Sequence, residues 1–205
     1  AQAVIDFQKA MPDGKSVVLI TGTDIYEQLP EGSPTGMACL ESVDRIAVVS
    51  ERSIPSLPEN FRGKAFVVPC SLDEIKLRAK PQSGPFVISV VGHLRPVKQS
   101  FATIEAVAKH PEWDNLEVWQ LGEALDSACE RIARDWTKKD KRYRWFGGLP
   151  REKSLERCAQ SQLTINSSRL EGGANAVLEA MTMHVPVLAS DIEGNRLLLG
   201  DDYPG

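Results

Sequence analysis

Asn166-Ser167-Ser168-Arg169-Leu170-Glu171-Gly172-Gly173-Ala174-Asn175-Ala176-Val177-Leu178-Glu179-Ala180-Met181 leads from a short apolar stretch, through a glycine pair, into a helix-forming sequence. Residues 163–167 are apolar and β-branched enough for a strand, and Val177, Ala180 and Met181 recur at helical spacing. The glycines separate the two, so a helix is expected to begin between Gly173 and Asn175. A strand turning directly into an amphipathic helix is half of a βαβ unit, and such units build parallel sheets.

The same unit recurs outward from this stretch. Apolar runs stand at 17–21, 45–50, 65–68, 86–92, 116–121, 143–147, 163–167 and 186–190. Two of the intervals have clear helical character. Residues 99–110 place Phe101, Ile104, Val107 and Ala108 on one face, and residues 125–136 do the same with Ala128, Ile132 and Trp136. This alternation predicts an α/β protein with parallel sheets covered on both faces. Residues 70–85 break the pattern; polar, with Pro81, Ser83, Gly84 and Pro85 near their end, they read as an interdomain linker. Five strand–helix repeats follow, up to about Leu199, which is nearly a whole doubly wound domain, whereas three strands precede. The expected organisation is an incomplete N-terminal Rossmann-like lobe over 1–80 and a second, nearly whole lobe over 81–205. The chain starts at Ala1 without Met and stops at Gly205 after Asp201-Asp202-Tyr203-Pro204, so it reads as a piece of a longer protein.

Composition narrows the class. With 205 residues, 42% hydrophobic and 25% charged, the chain is that of an ordinary globular protein. The net charge of −4 divides evenly, −2 over residues 1–85 and −2 over 86–205, so no basic stripe for nucleic acid is present. Lys138, Lys139, Lys141, Arg142 and Arg144 read as a solvated helix end. Cys39, Cys70, Cys129 and Cys158 are scattered without CxxC spacing; neither a disulfide framework nor a metal site is expected, and a reducing cytoplasm fits. No apolar run approaches the roughly 20 residues of a membrane helix.

Open parallel sheets bind ligands beyond the carboxyl ends of their strands, and three strand ends carry suitable groups. Gly92-His93-Leu94-Arg95-Pro96-Val97-Lys98 offers a flexible turn, then an imidazole, a guanidinium and an ammonium. Arg and Lys can neutralise a diphosphate, one with a planar fork and the other as a point charge, although an ordinary turn with surface cations has the same sequence. At Glu171–Glu179 the free N–H groups of a helix start form a phosphate site. Glu171 before the turn can accept from sugar hydroxyls and Glu179 within the helix from ribose hydroxyls. Gly147-Gly148-Leu149 follows an aromatic strand and can present backbone groups to a planar base, or is a tight turn only. In the first lobe Thr21-Gly22-Thr23-Asp24 follows a strand, with Asp24 either an acceptor-side or catalytic group or the carboxylate of an Asx-type turn.

Glu171-Gly172-Gly173-Ala174-Asn175-Ala176-Val177-Leu178-Glu179, followed by Val185-Pro186-Val187-Leu188-Ala189-Ser190, resembles the E-x7-E signature of glycosyltransferase family 4, and residues 92–98 are similar to that family's glycine, Arg and Lys donor-phosphate motif. Two positions depart from it: Gly173 and Ala174 stand where Phe and Gly are usual, and His93 where Arg is usual, with Arg95 two residues on. Residues 19–26, 92–98, 167–175 and 199–205 also look like the glycosyltransferase subfamily that contains the selenosugar synthases of selenoneine biosynthesis.

The resemblance implies a GT-B fold of two Rossmann-like doubly wound lobes and transfer of a hexosyl or N-acetylhexosaminyl group from a nucleoside-diphosphate sugar, a UDP-sugar first, to a nucleophile such as selenophosphate. The strand-end reading and the resemblance together give Asp24 and Glu171 as the expected catalytic residues, and Gly92, His93, Arg95, Lys98, Gly147, Leu149, Glu171, Gly172, Gly173, Ala174, Asn175 and Glu179 as the expected donor-binding ones. No resident cofactor or metal is implied; the nucleotide sugar is a co-substrate. Two rival readings keep the same fold, a UDP-sugar epimerase and a donor-binding module without turnover.

Overall fold

All eight expected strands form, most of them a residue or two shorter than their apolar runs: β1 (Val17–Ile20), β2 (Arg45–Val48), β3 (Ala65–Val67), β4 (Phe86–Val91), β5 (Leu116–Leu121), β6 (Tyr143–Trp145), β7 (Leu163–Asn166) and β8 (Val187–Ala189). The helices are α1 (Gln2–Ala10), α2 (Pro34–Ser42), α3 (Ala102–Val107), α4 (Ser127–Lys139), α5 (Arg151–Ala159), α6 (Asn175–Thr182) and α7 (Glu193–Leu199). This computed structural model describes residues 1–80 and 83–205; Pro81, the expected first residue of the second lobe, lies outside the described residues. The chain divides into two compact units, Ala1–Ser71 with Leu170–Gly173, and Leu72–Arg169 with Ala174–Gly205.

The first unit is built on the parallel sheet β1-β2-β3. Its core gathers Ile20, Ile25, Leu40, Ile46, Val48, Leu57 and Phe61. Fully burying one such side chain contributes roughly 1.5–3 kcal/mol. Helix α2 starts as its sequence dictates: Ser33 Oγ accepts the Gly36 amide at 3.2 Å, and Pro34 fills the first turn, where no amide is required. Leu170–Gly173 packs here at close range. A Cβ on Gly22 or Gly172 would collide with the backbone of the other, and one on Gly173 would collide with the Cys70 Sγ.

In the second unit the strand order is β6-β5-β4-β7-β8, parallel throughout. Central β4 buries Val87, Ile88 and Val90, and the one hydroxyl there, Ser89 Oγ, is matched by Ser161 Oγ and Thr164 Oγ1, each at 2.9 Å. Right-handed crossovers send the chain from β4 outward to β5 and β6, then back across β4 to β7 and β8. The core divides accordingly. Ile104, Val107, Val118 and Tyr143 cluster beside Val90, whereas Leu155, Val177, Ala180, Met183 and Val185 form a separate cluster with α5 and α6. Residues 72–80 form neither helix nor strand, yet Ile75 is buried in that second cluster, and the Ala79 and Lys80 amides donate to Met183 and Ala159 carbonyls at 2.6 and 2.7 Å. Among the described residues no helix is long and apolar enough to cross a membrane.

Two expectations need correction. The inward face of α4 is Cys129 and Ala133, with Trp136 half-buried, and not the Ala128–Ile132 stripe; Ile132 is 39% exposed. Small Cys129 and Ala133 let the helix approach closely, and Asp126, capping the Cys129 amide at 2.7 Å, fixes its rotation. Arg142 is likewise no solvated cation. It is buried, paired with Asp140 at 2.7 Å, and donates to the carbonyls of His110 and Trp113 at 2.8 and 3.2 Å, tying the β5–β6 connection to the loop after α3.

The Arg142 guanidinium holds the Asp140 carboxyl below the usual 3.8 against the upward pull of burial, with the Arg142 amide adding to the lowering. A depressed folded value stabilises the protein above the unfolded value and is lost as pH falls through the folded one. Asp140→Asn is therefore expected to cost about 3 kcal/mol at neutral pH by urea unfolding, because Arg142 is left buried and uncompensated. The same variant should lose less stability than the parent between pH 5 and pH 2, in the sense fixed by the lowered carboxyl. An unchanged acid limb would show that the pair contributes nothing to acid stability.

Candidate functional site

The return of the chain across β4 makes β4 and β7 neighbours whose connections leave in opposite directions, which opens a crevice at their carboxyl ends. Two of the three expected segments start there. β4 ends at Gly92, whose φ of 148° suits glycine, and the adjacent β5 ends at Gly122, with φ 155°. The two strand ends touch: the Gly92 amide donates to the Leu121 carbonyl at 2.8 Å, and a Cβ on Gly122 would collide with the Gly92 carbonyl oxygen. Leu94 is wholly buried and its amide donates to the Glu123 carbonyl at 2.8 Å. This anchor leaves its neighbours His93 and Arg95 exposed. Pro96–Lys98 closes as a 3-10 turn, and Gln99 follows with φ 45°.

The segment after β7 is bound to that turn by its backbone and one hydroxyl. The Arg169 amide donates to the Val97 carbonyl at 2.9 Å, and Ser167 Oγ donates to the Lys98 and Gln99 carbonyls at 3.2 and 3.0 Å. Ser190 Oγ, after β8, donates in turn to the Ser168 carbonyl at 2.5 Å. Lys98 is thereby held beside residues 167–169 by three hydrogen bonds to neighbouring carbonyls.

Helix α6 begins at Asn175, inside the expected window, with Ala174 as its cap residue. Unlike α2 and α4 it has no side-chain cap, and unlike α4 it has no acid in its first turn. Its first amides and the positive end of its dipole are thus open to an anion. Glu179 stands on the second turn; its carboxylate is 15% exposed and accepts from Arg151 Nε at 3.1 Å. Gly147, with φ 68°, turns the chain after β6, its carbonyl accepting from the Gly122 amide at 2.9 Å, and Leu149 is half-buried beside Trp119 and Leu121.

The second unit therefore brings Gly92, His93, Arg95, Lys98, Gly147, Leu149, Ala174, Asn175 and Glu179 to the carboxyl ends of its strands and to α6. Glu171, Gly172 and Gly173 are described with the first unit, where Glu171 is 8% exposed. In that unit Asp24 stands just after β1, where its Oδ2 accepts from the Thr21 amide at 2.8 Å and from Thr21 Oγ1 at 3.1 Å. That is the reach-back contact of a capping box, and it occupies one carboxylate oxygen.

Two cations escaped the sequence reading. Arg169 lies within the quoted stretch, but only its amide bond to Val97 brings it beside Lys98. Arg151 follows the Gly147-Gly148-Leu149-Pro150 turn, and nothing in the sequence pairs it with Glu179, 28 residues on.

This geometry, cations, an uncapped helix start and a carboxylate beyond the carboxyl ends of a parallel sheet, is that of a doubly wound α/β domain with a candidate site at its switch point. Residues 73–205 match the family model for glycosyl transferases group 1, and the chain belongs to that family. A curated relative, glycosyltransferase 1 domain-containing protein 1 of Xenopus tropicalis, is 27% identical over 143 residues, 69% of this chain and 41% of that protein. Among solved structures, Anabaena HepE in complex with UDP-glucose superposes with a TM-score of 0.75 at 17% identity, over 96% of this chain and 60% of that one. The pneumococcal O-GlcNAc transferase GtfA, in complex with UDP and GlcNAc, superposes with a TM-score of 0.73 at 16% identity, over 98% of this chain and 42% of that one. The fold is that of the GT-B glycosyltransferases, and the chain spans between 41% and 60% of the length of these relatives.

Gly122→Ala tests the strand-end contact directly. The added methyl meets a backbone carbonyl at a positive-φ position, so a loss of about 1–3 kcal/mol is expected by denaturant unfolding. Wild-type stability would mean that residues 92–98 shift freely, and that the geometry around Lys98 is not fixed by Gly122.

Proposed function

We propose that this chain carries the donor-binding part of a family 4-type glycosyltransferase, which moves a hexosyl or N-acetylhexosaminyl group from a UDP-sugar to a nucleophile. The observation that supports it most is the attachment of residues 167–169 to residues 97–99, which puts Lys98 at the switch point of the sheet. A departing diphosphate gains negative charge as the sugar–oxygen bond breaks, and donors preset around that charge are the largest contribution a protein can make to the reaction. Lys98 and Arg95 supply the cations, and the first amides of α6 supply the neutral donors; the sequence resemblance alone adds the amides of Gly172 and Gly173. Glu179 accepts from the ribose hydroxyls, Gly147 and Leu149 border the base, and His93 lines the diphosphate. On this reading Glu171 holds the sugar hydroxyls and Asp24 serves the acceptor. The acceptor is read from sequence resemblance alone, which points to selenophosphate.

Titration calorimetry with UDP and uridine tests the donor assignment. Lys98→Ala should weaken UDP about tenfold, as expected for one charge-assisted contact, and leave uridine within twofold. Glu179→Ala should weaken both ligands alike, because both carry the ribose. Equal losses of UDP and uridine in the Lys98 variant would remove its phosphate role. Product analysis with a UDP-sugar, with and without selenophosphate, separates transfer from epimerisation: an epimerised nucleotide sugar in the absence of acceptor would overturn the transferase reading.

A further inference from the structure

Glu179 is held in an unusual way for a residue that is to receive a ligand. Its side chain is 15% exposed, and among the described residues its single polar partner is Arg151, which donates from Nε to Oε1 alone. An ionised carboxylate can accept about four hydrogen bonds. Oε2 and the second lone pair of Oε1 are thus left for donors from outside, and a vicinal diol supplies two.

Arg151 is itself placed against local preference. It is the first residue of α5, where the helix dipole disfavours a cation. Pro150, with φ −54° and ψ 145°, sets the entry of the chain, and the far side of the helix is pinned by Arg157, whose guanidinium lies 4.9 Å from the Phe146 ring and 5.2 Å from the Trp119 ring. The Arg151 side chain itself is 50% exposed. A guanidinium donates from a planar group in a set direction, and so biases where the carboxylate oxygen it holds can lie, which a freely rotating ammonium does less.

We propose that Arg151 is a positioning residue for Glu179. By holding Oε1 it aims the remaining acceptors at a vicinal diol, and so gives the protein its preference for a ribonucleotide over the 2′-deoxyribonucleotide. This rests on the nucleotide reading above and adds to it the residue that makes Glu179 selective. Without Arg151 the carboxylate still reaches one hydroxyl, but Oε1 is no longer held where both can be met, so selectivity falls further than affinity for the deoxy ligand.

The test compares UDP with 2′-deoxy-UDP by calorimetry on the parent chain, Arg151→Ala, Arg151→Lys, Glu179→Gln and the double variant Arg151→Ala/Glu179→Gln. The parent should prefer UDP by about tenfold, the scale of one hydrogen bond to a charged group. Arg151→Ala should reduce that preference to about threefold or less with 2′-deoxy-UDP affinity nearly retained, and Arg151→Lys should restore part of it. The double variant should match Glu179→Gln, because Arg151 acts through that carboxylate. A purely structural role predicts equal weakening of both ligands in Arg151→Ala, and that result overturns the proposal. If Glu179→Gln abolishes the preference and Arg151→Ala preserves it, the positioning role is wrong and the ribose reading stands. If the parent binds neither ligand, both fall together.

Discussion

The Arg169 amide and the Ser167 hydroxyl, donating to the carbonyls of Val97, Lys98 and Gln99, hold together two loops that leave neighbouring strands in opposite directions. β4 and β7 are paired in the sheet only over Ile88–Leu163 and Ser89–Thr164, well short of their carboxyl ends, so nothing in the ladder itself fixes what lies beyond. These few bonds do. They tie the loop that carries Lys98 to the one that carries Arg169 at the mouth of the crevice. The neighbouring contact of Gly92 with Gly122 does the same on the other side of β4, by close backbone approach in place of a hydroxyl.

Such an arrangement suits a reaction in which the leaving group is highly charged and there is little covalent chemistry for the protein to perform. Donors held before the ligand arrives need no reorganisation as charge develops, and loops tied by backbone hydrogen bonds meet that requirement better than long side chains on mobile turns. The polar centre of the sheet follows the same logic. Ser89, Ser161, Thr164 and Cys158 satisfy one another beneath the crevice, and burial pushes the Cys158 thiol up despite the Thr164 and Ser89 hydroxyls that favour its ionised form. The interior is thus polar without being reactive.

Much of this was legible because it is local. Alternation of β-branched runs with helical spacing gave all eight strands, and Gly172-Gly173 before Val177 and Ala180 marked where α6 starts. What was not legible is long-range. Ala128, Ile132 and Trp136 have the right spacing for an apolar face, but α4 turns Cys129 and Ala133 inward because Asp126 caps it at that rotation. Arg142 sits in a run of cations that all look solvated, and only the approach of the His110–Trp113 loop, some 30 residues earlier in sequence, makes it a buried tie. Arg151 is the same case within the site, its partner fixed by how α5 lies against α6. Periodicity carries no information about which surface of an element another segment will reach.

The thiol at position 70 has a practical consequence. Cys39, Cys129 and Cys158 are buried, and burial raises all three thiols, whereas Cys70 is half-exposed and its sulfur lies against Gly173. A maleimide or a small alkylating reagent should therefore modify the native chain at one place. The adduct would sit against the glycine pair that precedes α6, so a fluorophore attached there reports on that turn while leaving the rest of the molecule chemically untouched.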